Sequence, residues 1–245
     1  MNTPAVFTGE KADSYDENAG FEKGNREWHK LLLEDLLQFL PYTPGGFIDL
    51  GCGTGYFAEV FYRRFPQIKG LLTDGSAEML ARAQQKFLPG NPFTEFWVSP
   101  FQELDLQRFD GDVDIVFSCL AIHHLSEAEK QILYKKIAHR LSTRGWFILF
   151  DLFRLADEES NRLLEHIACC DIQRKLKQLL GWEEEIELEE LKLERIKEND
   201  RREKKREGDQ ESLLEDTYRY LREAGFTRVT PVAQENRFIC LLAQK

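Results

Sequence analysis

One stretch of the chain constrains its fold more than any other. Residues 47–57 read Phe-Ile-Asp-Leu-Gly-Cys-Gly-Thr-Gly-Tyr-Phe, so a short apolar segment with one acid runs into three alternating glycines. The apolar spacing of Phe57, Val60 and Phe61 that follows is typical of a helix. A strand that turns through glycines into a helix N-terminus presents bare backbone to a small charged ligand. The stretch therefore predicts a ligand site at the end of a buried strand.

The same alternation of strand and helix continues along the chain. Further apolar strands are predicted at 70–74, 93–98, 113–118 and 146–151. A helix from Gly208 to Gly225 and two closing strands at 226–232 and 237–243 are predicted after them. Continuously apolar strands that alternate with helices indicate a parallel sheet covered on both faces. Ligands bind at the carboxyl ends of such strands. These strand ends carry Asp49, Asp74, Ser99, Ser118 and Asp151.

Composition changes divide the chain into three predicted regions. Residues 1–24 are polar and lack a clear period, which favours an N-terminal arm or lid. Residues 25–156 and 209–245 carry the strand and helix pattern and form the predicted α/β core. Residues 157–208 are highly charged and helical in pattern, so they are predicted to form a cap inserted between strands 5 and 6.

Charge and cysteine content exclude several classes of function. The net charge of -10 argues against nucleic acid as the main partner. The five cysteines lack the paired spacing of a metal site, and we predict buried thiols in a reducing compartment and no metal. No signal peptide and no run long enough to span a membrane is apparent, so a cytoplasmic protein without a membrane partner is expected.

The spacing of the three glycines selects among nucleotide-like ligands. Nicotinamide and flavin sites need G-x-G-x-x-G, whereas here the third glycine comes one residue early and Tyr56 takes the expected place. A phosphate-binding Walker loop is excluded because no Gly-Lys-Ser/Thr follows. Asp49 would repel a diphosphate but suits a ligand with cationic groups. S-adenosylmethionine, which has an ammonium, a sulfonium and no phosphate, meets these requirements.

Asp49 to Gly55 resembles, almost letter for letter, the first motif of the class I S-adenosylmethionine-dependent methyltransferases. The similarity extends from roughly Tyr15 to the C-terminus, with further motifs at Gly75–Leu80, Phe109–Ser118, Ala121–Leu125 and Leu221–Phe226. The resemblance implies S-adenosylmethionine as cofactor. It also implies a Rossmann-like, doubly wound α/β fold, with a seven-stranded, mainly parallel sheet whose last strand is antiparallel.

The resemblance also implies a set of cofactor-binding residues. Asp74 resembles the acid that binds both ribose hydroxyls. After the third strand the family often carries Gly-Asp, where this chain has Ser99-Pro100-Phe101, so backbone and packing on Phe101 are expected to hold the adenine. The full predicted set is Tyr15, Asp49, Gly51, Cys52, Gly53, Gly55, Asp74, Gly75, Met79, Pro100, Phe101 and Ser118.

His123 is the predicted catalytic residue, since histidine titrates near neutral pH and follows the fourth strand here. The alternative is that His123 and His124 shape the pocket wall and cap the next helix. Methyl transfer is an in-line displacement from an activated sulfonium, and many acceptors need positioning more than deprotonation. Whether a general base is used is left open.

The acceptor is predicted to be a small molecule, with two other functions kept as alternatives. The insertion resembles that of carboxy-S-adenosylmethionine synthase, whose insertion arginine grips the added carboxylate. The candidates for that arginine are Arg195, Arg201, Arg202 and Arg206. A tRNA or rRNA methyltransferase is the other alternative, and it would need a continuous basic face. A homodimer is also left open.

Overall fold

The computed structural model describes residues 26–179 and 193–245. The helices of these residues are α1 (Arg26–Phe39), α2 (Ala58–Arg64), α3 (Ala77–Phe87), α4 (Glu127–Arg140), α5 (Glu158–Leu179), α6 (Leu193–Glu207) and α7 (Leu214–Glu223). The strands are β1 (Gly46–Leu50), β2 (Lys69–Asp74), β3 (Thr94–Val98), β4 (Ile115–Cys119), β5 (Trp146–Leu152), β6 (Arg228–Glu235) and β7 (Phe238–Gln244). Short 3-10 helices lie at Leu106–Arg108 and Ile122–His124.

The strands form one seven-stranded sheet in the order β3-β2-β1-β4-β5-β7-β6. The five strands from β3 to β5 are parallel, and β7 is antiparallel to both β5 and β6. The chain runs outward from β1 to β3 and then returns to place β4 beside β1. A crevice for a ligand forms at the carboxyl ends of strands where the order reverses in this way. The sheet confirms the predicted mainly parallel α/β fold.

Helices cover both faces of the sheet, which explains why its central strands β1, β4 and β5 are almost continuously apolar. Successive strand residues point to opposite faces. Phe47 of β1 and Phe117 of β4 belong to the core under α1, α2 and α3, and the ring of Phe47 stacks on Phe61 of α2 with a centroid distance of 4.3 Å. Ile48 and Val116 belong to the core on the other face, under α4 and α7.

Helices α5 and α6 follow β5 within the region predicted as a cap. Cys169 of α5 and Ile196 of α6 are buried, and Arg201 Nε of α6 lies 3.5 Å from Glu165 Oε1 of α5. These two helices therefore pack on each other. Their action as a cap over the site remains a prediction. The predicted N-terminal arm, residues 1–24, lies outside the described residues, as do residues 180–192 of the predicted cap.

The segment between α6 and α7 corrects one sequence expectation. The pattern predicted a single helix from Gly208 to Gly225, but α7 begins at Leu214. Gly208 has a φ of +74°, the left-handed conformation that ends a helix, and α6 stops before it. The 209–213 segment then runs beside the end of β5. Arg154 N donates to Ser212 O at 2.9 Å, and Leu214 N donates to Arg154 O at 2.9 Å.

Asp114 ties together three loops at the amino ends of the central strands. Its side chain is buried and accepts hydrogen bonds from Gly45 N at 2.8 Å, Ser142 Oγ at 2.6 Å and both Nε and Nη2 of Arg144 at 3.2 Å. Burial alone would raise the pKa of Asp114. The bonds from Arg144, Gly45 and Ser142 outweigh it and lower the pKa below its ordinary value.

We expect Asp114→Asn to lower the free energy of unfolding at pH 7 by about 1–2 kcal/mol, because it weakens charge-assisted hydrogen bonds whose Arg144 partner is half exposed. A lowered native pKa stabilises the fold above the unfolded pKa of about 3.9 and loses this effect as the pH falls through the native value. Denaturant unfolding of both proteins should therefore converge in acid. Asp110→Asn, at an exposed neighbour, is the control. Equal stability of Asp114→Asn and wild type at pH 7 would contradict the assignment.

Candidate functional site

The glycine turn after β1 is fastened to the end of β2 by backbone hydrogen bonds. Gly51 N and Cys52 N both donate to Thr73 O, at 2.8 and 3.0 Å. Gly53 N donates to Asp74 Oδ2 at 2.8 Å. Two neighbouring strand ends are therefore held as one unit at the reversal point of the sheet.

Two of the three glycines are required by both conformation and space. Gly51, Gly53 and Gly55 have φ values of +70°, +56° and +74°, which favour glycine. A Cβ at Gly51 would lie 2.4 Å from Ala121 Cβ, and one at Gly55 would lie 2.4 Å from the ring of Phe87. Any side chain at either position would force the turn away from its neighbours. The turn is therefore a close-fitting backbone cradle.

Asp49 places a buried carboxylate beneath this cradle. Its side chain is fully buried, and Oδ2 has no hydrogen-bond partner among the described residues. Burial first, and the neighbouring Asp74 carboxylate second, raise the pKa of Asp49 well above its ordinary value. A buried acceptor without a donor is costly, and a ligand with a cationic or N–H group would satisfy it. The residue therefore fits the ammonium-bearing cofactor that the sequence predicted.

Asp74 faces the same crevice from the end of β2. Its Oδ1 accepts from Ser76 N at 2.7 Å, while its Oδ2 accepts from Gly53 N. Burial raises the pKa of Asp74, and these two N–H groups together with nearby His124 oppose the rise. Each carboxylate oxygen has a second lone pair, so the group can still accept bonds from a pair of hydroxyls. The side chain is thus held in one orientation by backbone donors.

Five other predicted cofactor residues lie in or near the turn: Cys52, Gly75, Met79, Pro100 and Phe101. Phe101 lies over Gly51, with its ring tip 3.3 Å from the place where a Cβ would stand, and Pro100 Cα is 4.0 Å from the same point on Gly75. Met79 of α3 is buried, and its N–H donates to Ser76 Oγ at 3.3 Å. Cys52 is also buried, and burial raises the pKa of its thiol well above the ordinary range. The Ser99-Pro100-Phe101 loop therefore reaches the crevice, and its contact with the adenine remains a prediction.

The two remaining predicted cofactor residues are Ser118 and Tyr15. Ser118 is fully buried, and its hydroxyl donates to Leu50 O at 2.8 Å, so it links β4 to β1. Its assignment to cofactor binding remains a prediction. Tyr15 lies outside the described residues.

His123 is held beside the crevice by Asp151, the acid at the end of β5. His123 Nδ1 lies 2.5 Å from Asp151 Oδ1, and His123 N donates to Asp151 Oδ2 at 3.0 Å. Leu152 N also donates to Asp151 Oδ1, at 2.9 Å. The carboxylate thus accepts from the ring and from two backbone groups. In a neutral His123 the proton lies on Nδ1, and Nε2 carries the lone pair.

Sequence reasoning missed the acid on the other side of His123. Asp209 Oδ1 lies 3.6 Å from His123 Nε2 and 3.3 Å from His124 Nδ1, and its side chain is 4% exposed. The sequence pattern placed Asp209 within a predicted helix from Gly208 to Gly225, so it was not predicted as a site residue. Gly208 before it is a typical helix C-terminal signal that could have placed Asp209 in a connection.

We expect Asp49→Asn to make the ligand-free protein more stable at pH 7, on the order of 1–3 kcal/mol, since it removes a buried carboxylate with a partnerless oxygen. A native pKa raised above the unfolded value of about 3.9 means that the wild type loses stability as the pH rises between the two values. The variant lacks that loss. Thermal unfolding from pH 4 to 8 measures the difference, and a variant less stable than the wild type throughout would contradict it.

Comparisons with known proteins agree with this geometry. A family model described as a methyltransferase domain matches residues 47–145. A trans-aconitate 2-methyltransferase from Deinococcus radiodurans is 35% identical over 94 residues, which is 38% of this chain and 33% of that protein. A malonyl-(acyl-carrier protein) O-methyltransferase from Marinomonas sp. is 32% identical over 141 residues, 57% of this chain and 47% of that protein. The chain thus spans less than half the length of these relatives.

Solved structures share the fold at low sequence identity. A magnesium protoporphyrin IX methyltransferase from Synechocystis, solved with bound SAH, has a TM-score of 0.57 and 16% identity and covers 98% of this chain and 96% of its own. An O-methyltransferase family protein from Burkholderia thailandensis has a TM-score of 0.60 and 15% identity, covering 96% of this chain and 59% of its own.

No helix in the described part of the chain is both long and apolar enough to cross a membrane.

The matched methyltransferase domain runs from β1 to the residue before β5, so it contains the glycine turn, Asp49, Asp74 and His123. The cradle and the buried acids beside it suit a cationic, phosphate-free ligand. Family match, sheet order and site chemistry agree. Residues 47–145 therefore carry a methyltransferase domain, and S-adenosylmethionine is the cofactor that its fold and site fit.

Proposed function

We propose that this protein transfers a methyl group from S-adenosylmethionine to a small-molecule acceptor that carries a carboxylate. The observation that carries the proposal is the fastened glycine turn with buried Asp49 beneath it and Asp74 beside it. When bound, the cofactor supplies an electrophilic methyl group on a sulfonium. The chain's own residues bind and orient the cofactor and the acceptor, and they exclude water from the site.

Each binding residue has a physical role in this proposal. Asp49 Oδ2 accepts a hydrogen bond from a cationic group, which offsets the cost of its burial. Asp74, oriented by Gly53 N and Ser76 N, accepts from the ribose hydroxyls. Phe101 covers the turn, and Gly75, Met79, Pro100 and Cys52 complete the wall. Tyr15 on the predicted arm and the predicted helical cap are proposed to close over the ligands.

The carboxylate acceptor is supported by the relatives' names. The two enzymes of Deinococcus and Marinomonas are named for trans-aconitate and a malonyl thioester, and both of those compounds carry free carboxylates. A carboxylate is already deprotonated at neutral pH, so its methylation requires alignment and not a base. A hydroxyl acceptor would instead require a base. His123, held by Asp151, is the residue we propose for that role in the hydroxyl case.

We expect Asp74→Ala to weaken S-adenosylmethionine binding by roughly 10- to 100-fold, because it removes hydrogen bonds to two hydroxyls, each worth about 1 kcal/mol, and releases Gly53 N. Calorimetric titration of wild type and variant measures the change, with Asp110→Ala as the control for an exposed aspartate before β4. Asp49→Asn should also bind the cofactor more weakly although its fold is more stable. Equal affinity of wild type and Asp74→Ala for S-adenosylmethionine would contradict the assignment of Asp74 to the ribose hydroxyls.

We expect purified protein to convert S-adenosylmethionine to S-adenosylhomocysteine when a small di- or tricarboxylate such as trans-aconitate is added. Mass spectrometry of the product should show a methyl ester that alkali hydrolyses. In chelator-treated protein, His123→Asn should retain most of the wild-type turnover, because a carboxylate needs no base. A product that resists alkali, together with turnover lost in His123→Asn, would replace the carboxylate with a hydroxyl acceptor. Cofactor that gains a carboxyl group in the presence of prephenate would favour the carboxy-S-adenosylmethionine synthase alternative. Methylation of tRNA or rRNA would favour the RNA methyltransferase alternative.

A further inference from the structure

We infer that His123, His124 and Asp209 form a binding site for a divalent transition-metal ion such as Zn²⁺ beside the carboxyl end of β4. His123 Nε2, His124 Nδ1 and Asp209 Oδ1 all lie within 4.8 Å of one another. Two imidazole nitrogens and one carboxylate oxygen are ligands that such ions prefer. Cysteine and histidine spacing along the sequence predicted no such site, because its acid comes from a distant segment.

The distances between the ligand atoms suit a single ion. Ligands at about 2.0–2.1 Å from a tetrahedral zinc ion lie about 3.3 Å apart. Asp209 Oδ1 is 3.3 Å from His124 Nδ1 and 3.6 Å from His123 Nε2. These two distances are close to that spacing, and the two histidine nitrogens lie within 4.8 Å of each other.

A supporting shell fixes the orientation of the first histidine. His123 Nδ1 is bonded to Asp151 Oδ1, which leaves Nε2 as the ligand atom of the neutral ring. Asp151 is itself held by His123 N and Leu152 N. A carboxylate behind a ligating histidine is a recurrent feature of metal sites, since it sets the tautomer and raises the basicity of the ligand.

The acid is also held in place by the backbone around it. In the 209–213 segment, Gln210 N donates to His123 O at 2.7 Å, and Gln210 Nε2 donates to His124 O at 3.1 Å. Lys130 Nζ donates to Ser212 Oγ at 2.7 Å, and also to Gln210 O. Asp209 is thereby carried to the histidine pair by contacts that do not involve its own side chain. The site is organised before any ion enters.

A proton is the competing occupant of the same space. A doubly protonated His123 between Asp151 and Asp209 would also satisfy both carboxylates. The two occupants differ in their pH dependence, because metal ligation requires neutral imidazoles and weakens as the pH falls below about 6.5. Binding of a bare ion by protein that holds neither cofactor nor acceptor distinguishes them directly.

The site has a consequence for the proposed acceptor, and this consequence alone rests on the proposed function. Three protein ligands leave a fourth position of a tetrahedral zinc ion open. Ala121, directly before the Ile122–His124 turn, packs against Gly51 of the cradle, so the ion would lie beside the cofactor crevice. An acceptor carboxylate could occupy the open position and be held for transfer.

The test uses the full chain, treated with a chelator and dialysed, and titrated with Zn²⁺ against a chromogenic chelator at pH 7.5. His124→Asn and Asp209→Asn should each weaken Zn²⁺ binding by at least tenfold, and Asp151→Asn should weaken it by roughly 10- to 100-fold. Exposed His139→Asn and Asp110→Asn are the matched controls and should bind as the wild type does. Circular dichroism and thermal unfolding check that each variant is folded.

A second pair requires its own control. His166 Nε2 of α5 lies 3.6 Å from Cys170 Sγ, so it could also capture zinc. Cys170→Ser should leave the affinity unchanged, and the Co²⁺ form of the wild type should lack a thiolate charge-transfer band. The inference is overturned if Asp209→Asn and His124→Asn bind Zn²⁺ as tightly as the wild type, or if binding is lost in Cys170→Ser. These measurements need no methyl acceptor, so they are independent of the proposed activity.

Discussion

The hydrogen bonds between the glycine turn and the end of β2 are the constraint on which the site depends. Gly51 N and Cys52 N share Thr73 O, and Gly53 N is bonded to Asp74. These bonds need the positive φ values that favour glycine, and they fix both the cradle and the acid beside it. The cofactor is therefore met by a surface that needs little rearrangement, which lowers the entropic cost of binding.

Buried acids are concentrated at the carboxyl edge of this sheet. Asp49 and Asp74 lie at the ends of β1 and β2, and Asp151 and Asp209 flank His123 near the ends of β4 and β5. Burial of several carboxylates so close together opposes folding, as the raised pKa values of Asp49 and Asp74 indicate. Such a cost persists where cations or hydroxyl donors are to be bound. The positive charges of the sulfonium cofactor and of the inferred metal ion would both offset the repulsion among these carboxylates.

Several features were legible in the sequence because they are local. The apolar strands, the glycine spacing and the acids at 49 and 74 each depend on neighbours a few residues away, and the structure places them as expected. Ser118 shows the limit of this reasoning. Its position at a strand end suggested cofactor contact, which remains a prediction, and the structure adds a hydrogen bond from its hydroxyl to Leu50 O in the adjacent strand. The neighbouring strand decides whether a side chain at a strand end bonds within the sheet or faces the crevice.

The sequence by itself determined the α/β class and the ligand type, and it located Asp49 and Asp74 at strand ends, since periodicity and turn chemistry act over short distances. Only the tertiary structure decided the partners of His123. Asp151 reaches it through the pairing of β4 with β5. Asp209 reaches it because Gly208 ends α6 and the 209–213 segment runs beside Arg154, just past the end of β5. Contacts of this kind depend on the path of the whole chain, and no local pattern of residues encodes that path.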